Sequence, residues 1–400
     1  MVHPPLGKWL IGAGMMIFGT DNGFGWRFTA ALAGTIMVAL FILLVTKMLA
    51  SQFFGGIAGI LLAVEGHHIV MSRTALLDIF MAMFVLAAFL ALVYDRSWHR
   101  KRLLHDVENN NRSRSFVSRL WRPWWIVAAI LIGAATAVKL SALAFVAAFA
   151  VLTLVWDWRA RVTLDRHGHG SGRAFVETLT KDWFPTLLLG IPVFALTYLL
   201  SWSGWLATDH GWGRGWAELN EAQGLQVLIP DWLRSLTNYH LESTRFHTGL
   251  DSEHSYASTP WTWWFMGRPT SFFYEGAENG VDGCVHERCS AAITDLANPL
   301  LWWAGAIAFF VVVYIALAKN DWRAWSVIAG YGAGFFVWLL FPNRTMFFFY
   351  TVAYEVFLIL AVVFTLRLVM RRLTPAGSPT YSKLAVTSAL TFVVLVVAVS

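Results

Sequence analysis

Charge is scarce in this chain. Only 14% of its 400 residues are charged while 57% are hydrophobic, against roughly a quarter charged in ordinary soluble domains, and a soluble fold is excluded on that ground. Cysteine is nearly absent too. The two that occur, Cys284 and Cys289, have four residues between them in a polar stretch, which is too few and too close for a zinc site. A short loop disulfide in an oxidising compartment is the preferred reading, and two free thiols are the alternative. The opening Met1-Val2-His3-Pro4-Pro5 lacks the basic region, apolar core and small-residue cleavage site of a signal peptide, so the first span is expected to insert by itself. No internal repeat or low-complexity segment is present.

What fills the chain instead is apolar runs about 20 residues long, enough to cross ~30 Å of hydrocarbon. Hydropathy predicts ten spans, near 27–46, 53–71, 75–94, 124–138, 140–156, 183–202, 299–318, 324–341, 345–366 and 384–400. The fold class expected is an all-α polytopic membrane protein with three parts: 1–202, a large loop 203–298, and 299–400. The 95–123 connection holds Arg96, Arg100, Lys101, Arg102, Arg112, Arg114, Arg119 and Arg122 against three acids, and Arg367, Arg371, Arg372 and Lys383 crowd the 367–383 connection. Such loops stay in the cytoplasm. The 203–298 loop reverses the balance, with five Lys/Arg and twelve Asp/Glu, and alternation places it outside. The net charge of +6 follows from the cytoplasmic loops, and no basic-aromatic groove points to nucleic acid.

Four polar clusters then fall at the outer boundary. The first is His3-Pro4-Pro5-Leu6-Gly7-Lys8 with Gly25-Trp26-Arg27, where the prolines predict an extended start. The second is Glu65-Gly66-His67-His68 followed by Ser72-Arg73 and Asp78, in which Arg73 and Asp78 either serve a site or pair to close a helix hairpin. The third is Lys139, alone between apolar runs, which either snorkels to water or meets an anion. The fourth runs from His247 through His254, Tyr256, Trp261, Trp263 and Arg268 to Tyr274 and Glu275. Aromatics interleaved with His, Arg and carboxylate suit either an interfacial belt or a sugar-and-phosphate pocket. His247 and His254 specify no metal geometry.

Taken in order, the strings His3-Pro4-Pro5-Leu6-Gly7-Lys8, Gly25-Trp26-Arg27-Phe28, Ser72-Arg73 with Leu76-Leu77-Asp78, Val138-Lys139, Pro260-Trp261-Thr262-Trp263 to Arg268-Pro269, Asn298-Pro299-Leu300 and Asn343-Arg344 resemble the protein O-mannosyltransferase family, membrane enzymes of the C-type glycosyltransferase fold. The loop is short enough to lack the β-trefoil insertion of eukaryotic members, so the resemblance is to a bacterial type. It implies transfer of mannose, with inversion, from a polyprenyl-phosphate-mannose lipid to Ser or Thr hydroxyls of exported proteins at the outer face of the cell membrane. Membrane lipids and the secretion machinery are the further partners implied. No cofactor and no metal site are expected, and assistance by a divalent cation is left open.

Residue by residue, the resemblance puts Arg27, Arg73, Lys139, Arg268 and Arg344 at the donor phosphate and sugar. It puts His247, His254, Tyr256, Trp261, Trp263, Tyr274 and Glu275 at the acceptor and sugar pocket, and leaves Asp78, His3 and Lys8 as supporting groups. The family's catalytic Asp-Glu pair precedes the His-Pro-Pro string, so an N-terminally truncated and, by itself, inactive polypeptide is the expectation. Two other readings compete: a transferase of the same fold acting on lipid or cell-wall glycan, and a transporter. The second would need polar groups near the midplane on interrupted helices.

Overall fold

The computed structural model describes residues 2–109, 120–164 and 170–400; Met1, Arg112, Arg114 and Arg119 lie outside them. Among the described residues the α-helices of six residues or more are α1 (Leu6–Phe18), α2 (Gly23–Leu49), α3 (Gln52–Ala63), α4 (Gly66–Met71), α5 (Leu77–Glu108), α6 (Pro123–Val138), α7 (Leu143–Leu164), α8 (Ser171–Glu177), α9 (Phe184–Leu200), α10 (Asp231–Thr248), α11 (Pro299–Lys319), α12 (Trp322–Leu339), α13 (Val352–Arg372) and α14 (Lys383–Val399). Six stretches among them are long and apolar enough to cross a membrane: Gly23–Leu49, Leu77–Glu108, Leu140–Leu164, Ser171–Leu200, Pro299–Lys319 and Phe348–Arg372. The chain is a multi-span membrane protein. Outside the helices, β1 (Ser271–Glu278) and β2 (Arg288–Thr294) form one antiparallel hairpin, a departure from the all-α expectation. Cys284 and Cys289 are joined by a disulfide beside it.

Helix α5 sits in the middle of the bundle, and with α13 it is the most buried of the six apolar stretches. Phe89 of α5 meets Phe149 of α7 and Phe357 of α13 at ring separations of 5.2 and 5.3 Å. Lipid-facing helices show the opposite pattern. On α9, Leu188, Ile191, Leu196 and Leu200 are all more than half exposed, as expected where hydrocarbon, not protein, covers the side chain.

Several boundaries differ from the hydropathy reading, each for a local reason. The span expected over 53–71 breaks at Val64–Glu65, because the Glu65 carboxylate accepts from the amide N–H of His68 at 2.9 Å and of Asn298 at 2.7 Å. Gly66 follows because a Cβ there would stand 2.4 Å from the carbonyl oxygen of Leu296. The stretch expected to be extended after Pro4-Pro5 becomes α1, with Pro5 as its N-cap; proline is well tolerated where a helix begins, since its missing N–H is an orphan there. Helix α5 continues well past residue 94, because Asp95 and His99 are buried in an ionic cluster. Arg122 reaches both Asp95 and Asp157 (2.7 Å to the latter), and Arg161 reaches Asp182 at 2.5 Å, with His99 beside Asp157 and Asp182. Asp95 and Arg122, which fall in the 95–123 connection by sequence, thus join Asp157, Arg161 and Asp182 in tying α5, α6, α7 and the π-helical turn Thr178–Trp183 together.

Candidate functional site

Between α6 and α7 the helical dihedral angles lapse at one residue, Lys139, which is extended (φ −152°, ψ 129°) before the turn Leu140–Ala142, although its amide still donates to the Ala135 carbonyl at 3.0 Å. That kink aims the side chain inward. Its Nζ donates to Oδ1 of Asp78 at 2.7 Å, with both side chains buried, and stands 4.6 Å over the ring of Tyr350. Asp78 lies in the first turn of α5, where the helix dipole favours a carboxylate. The alternative in which Asp78 pairs with Arg73 is thereby corrected: Arg73 is exposed, and Lys139 is the partner. Of the two readings of Lys139, snorkelling to water or meeting an anion, the structure has it on the Asp78 carboxylate.

Arg344 closes the turn Pro342-Asn343-Arg344, its amide bonded to the carbonyl of Phe341. Its Nη2 donates to the Tyr350 hydroxyl at 3.3 Å, and the guanidinium lies 5.3 Å from the ring centre of Trp338 and 5.5 Å from that of Tyr350. Those two rings stack at 4.4 Å. The arginine's Nε and Nη1 are buried and meet no hydrogen-bond partner among the described residues. A buried charged donor without an acceptor is costly, so the geometry leaves a place for an anion.

Two histidines complete the cluster. The His3 and His247 rings stack at 4.8 Å. His247 Nε2 and the Ser243 hydroxyl both donate to the carbonyl of Val2 at 2.8 Å, and Lys8 Nζ donates to that of His3 at 2.9 Å. Burial, then Lys139, His247, Lys8 and Arg344, push the His3 imidazole down to about 3, and burial also holds His247 below its usual range. Both rings are therefore neutral hydrogen-bonding groups at physiological pH, and an anion placed among them would draw both values upward.

His3, Lys139, His247 and Arg344 all line one end of a cavity of about 1250 Å³. From there it runs between α7 and α12, past Ala144, Ala148, Val151, Ala329 and Phe336, to Trp158, Arg159 and Asn320. Leu140 to Arg159 spans about 28 Å at 1.5 Å per residue, close to the ~30 Å of a hydrocarbon core. A second, polar cavity of about 580 Å³ adjoins at Arg344 and is lined by Asp251, Glu253, His254, Asn343 and Thr345 among others. The loop of residues 250–258 is stitched there by the amide of Thr345 to the Leu250 carbonyl (2.9 Å), the Thr345 hydroxyl to the Ser252 carbonyl (2.6 Å) and the amide of Ser258 to the Met346 carbonyl (2.8 Å).

The remaining expected residues do not gather at this site. Arg27 is exposed and lies over Trp26, and neither it nor Arg73 lines the cavity. Arg268 is exposed, donating to the Ser255 carbonyl. The expected acceptor pocket is dispersed: His247 stands with Lys139 and Arg344 at the end of the large cavity, His254 lines the smaller one, and Trp263 is fully buried packing whose Nε1 donates to Ser258. Tyr256, Trp261, Tyr274 and Glu275 are exposed. Conversely, Tyr350 and Trp338 carried no sequence signal, being two aromatics among many. The buried His67 pairs with Asp295 at 2.6 Å and Thr351 at 3.0 Å, so the Glu65-Gly66-His67-His68 string closes the bundle instead of opening to solvent. Among the described residues no group of three His, Cys, Asp or Glu is placed to hold a metal.

Comparison with known proteins gives this geometry a family. Residues 1–201 match the family described as dolichyl-phosphate-mannose-protein mannosyltransferase, and residues 232–400 match the C-terminal four-helix membrane region of protein-O-mannosyltransferase. The chain is 35% identical over 375 residues to the polyprenol-phosphate-mannose–protein mannosyltransferase of Mycolicibacterium smegmatis, covering 92% of this chain and 70% of that one. With the protein of the same description from Corynebacterium glutamicum it shares 29% over 408 residues, covering 99% and 76%. In structure it is similar to the yeast protein O-mannosyltransferase Pmt1-Pmt2 complex bound to the sugar donor, with a TM-score of 0.72 at 13% identity over 100% of this chain and 82% of that one. It is more distantly similar to ArnT from Cupriavidus metallidurans (TM-score 0.52, 13% identity, 100% and 60% covered). The chain belongs to the protein O-mannosyltransferase family of membrane glycosyltransferases.

Proposed function

We propose that this chain carries the donor-binding body of an enzyme that moves mannose from a polyprenyl-phosphate-mannose lipid to Ser or Thr hydroxyls of exported proteins. The observation that carries the reading is the long apolar groove capped by Lys139, Arg344, His3 and His247. An apolar wall about as long as the membrane is thick suits a polyprenyl tail, and the cationic cap suits a phosphate. As the glycosidic bond to phosphate breaks, negative charge grows on the departing oxygens, and groups already aimed there stabilise it without reorganising. The guanidinium can hold two oxygens as a fork, while the ammonium acts as a point charge. Mannose then lies toward the polar cavity at Arg344. The proposal invokes no cofactor.

The proposed topology has ten spans: α2, α3 with α4, α5, α6, α7, α9 and α11 to α14. Residues 203–298 form the extracytoplasmic loop of a cell-membrane protein, and the active face looks outward, where the secretion machinery delivers unfolded acceptor. Supporting this, the arginine-rich connections and the acidic loop fall on opposite sides under alternation. An impermeant reagent should label Glu275→Cys in intact cells and leave Lys101→Cys unlabelled until lysis; the reverse pattern would invert the topology. For the reaction, protein spanning the full family length, given labelled donor and an acceptor peptide, should yield an alkali-labile glycopeptide. Transfer to lipid alone would favour the glycan-modifying alternative.

The groove makes its own prediction. Ala329→Trp fills it at mid-depth and should raise the KM for a long-chain donor roughly tenfold, the equivalent of ~1.4 kcal/mol, with kcat nearly unchanged. Titration of donor chain length in detergent checks this, and an equal effect on a donor with a very short tail would remove the tail from the groove.

A further inference from the structure

The segment 219–229 exposes an apolar ridge that neither the bundle nor the site accounts for. Leu219, Leu225 and Leu228 are 87%, 82% and 80% exposed, and Val227 and Ile229 stand out beside them. Glu221 is the only charged residue from 219 to 230. Single exposed leucines are ordinary, but a contiguous run of them marks a contact surface.

The base of this loop is pinned at a defined height. The guanidinium of Arg234 donates to the carbonyl of Asn220, and the amide of Ala217 donates to the Ser235 hydroxyl at 3.1 Å. Both anchors belong to the first turns of α10. That part of α10 in turn packs on the end of α9, where Trp232, Leu236 and Tyr239 meet Tyr198, Leu199 and Trp202. Tyrosines and tryptophans at the end of a span are where a chain crosses from hydrocarbon to headgroups. The exposed face of α9 ends there, at Leu200, and the base of the ridge is tied to that end through α10.

We propose that the 219–229 loop is seated in the outer leaflet as a membrane anchor of the extracytoplasmic loop, its occupant being lipid and not a second protein. Apolar side chains reach the acyl boundary while Asn220, Glu221 and Gln223 stay among headgroups. The seat sets the height of α10. Its far part carries Thr244 and His247 at the mouth of the donor groove, about 20 to 24 Å along the helix from Asp231 at 1.5 Å per residue.

The test reads depth, not sugar transfer, so it stands apart from the proposed activity. Leu228→Cys, and separately Leu225→Cys, would be labelled with an environment-sensitive fluorophore in the protein reconstituted into liposomes, with Glu287→Cys, which is exposed near the hairpin, as the aqueous control. The expected result is blue-shifted emission at 225 and 228, quenched several-fold more by lipid carrying a shallow nitroxide than by iodide, with the opposite order at 287. Iodide quenching at 228 equal to that at 287 would overturn the proposal. So would protection from both quenchers accompanied by cross-linking between copies through residue 228, which would make the ridge a protein interface.

Discussion

Arg344→Ala is expected to lower mannosyl transfer by roughly a hundredfold, the size of losing about 3 kcal/mol of charge stabilisation at a developing oxyanion. Arg344 is singled out because two of its buried nitrogens have no partner among the described residues while the third faces the Tyr350 hydroxyl. Its charge is therefore held ready in the groove mouth and not spent on a carboxylate. Removing it leaves no buried acid stranded, so expression and thermal unfolding in detergent should stay near those of the parent. Arg344→Lys restores charge but not the fork, and should recover only part of the rate. Turnover at saturating donor, with stability measured alongside, checks this; a parental rate in Arg344→Ala would take the phosphate away from this mouth.

Lys139→Ala should show two losses together. The sequence reading of an isolated lysine predicts lost activity with a normal fold, but the 2.7 Å contact to Asp78 changes that expectation. Deleting one member of a buried pair leaves the other charge uncompensated, at a cost of about 3–5 kcal/mol. The single variant should therefore unfold at markedly lower temperature and transfer sugar at least a hundredfold more slowly. Lys139→Ala combined with Asp78→Asn separates the causes, since it removes the stranded charge. Stability should return in large part while activity does not. Recovery of activity in the double variant would show that the pair only holds α5 against the α6–α7 kink.

Much of this molecule is legible in its sequence because a bilayer imposes a single strong rule. Backbone polar groups in hydrocarbon must be satisfied within the segment, so long apolar runs become helices whatever their neighbours, and the runs near 27–46, 299–318 and 384–400 do so. What failed rests on contacts between residues distant in sequence and on loop faces that follow no period. The break at Glu65 needs the Asn298 amide, 233 residues away, and no window of hydropathy contains both. Helix α5 outruns its hydrophobic stretch because Asp95 and Arg122 compensate each other in a buried cluster, where a sequence count sees only a charged loop. The string from His247 to Glu275 suits a belt or a pocket in sequence, yet Trp263 and Trp261 face opposite environments, buried and exposed, because a loop has no fixed period to assign its faces.

The sequence by itself determined the membrane character, the helical class, the opposed charge of the connections and, through separated short strings, the family. Those properties depend on composition and order along the chain, which folding does not alter. Only the tertiary structure decided that Lys139 is paired with Asp78, that Arg344 keeps buried donors without a partner among the described residues, and that His3 and His247 meet as stacked neutral rings. The first and the last depend on contacts between residues 61 and 244 positions apart, and the energy of a charge is set by what stands within a few ångströms of it.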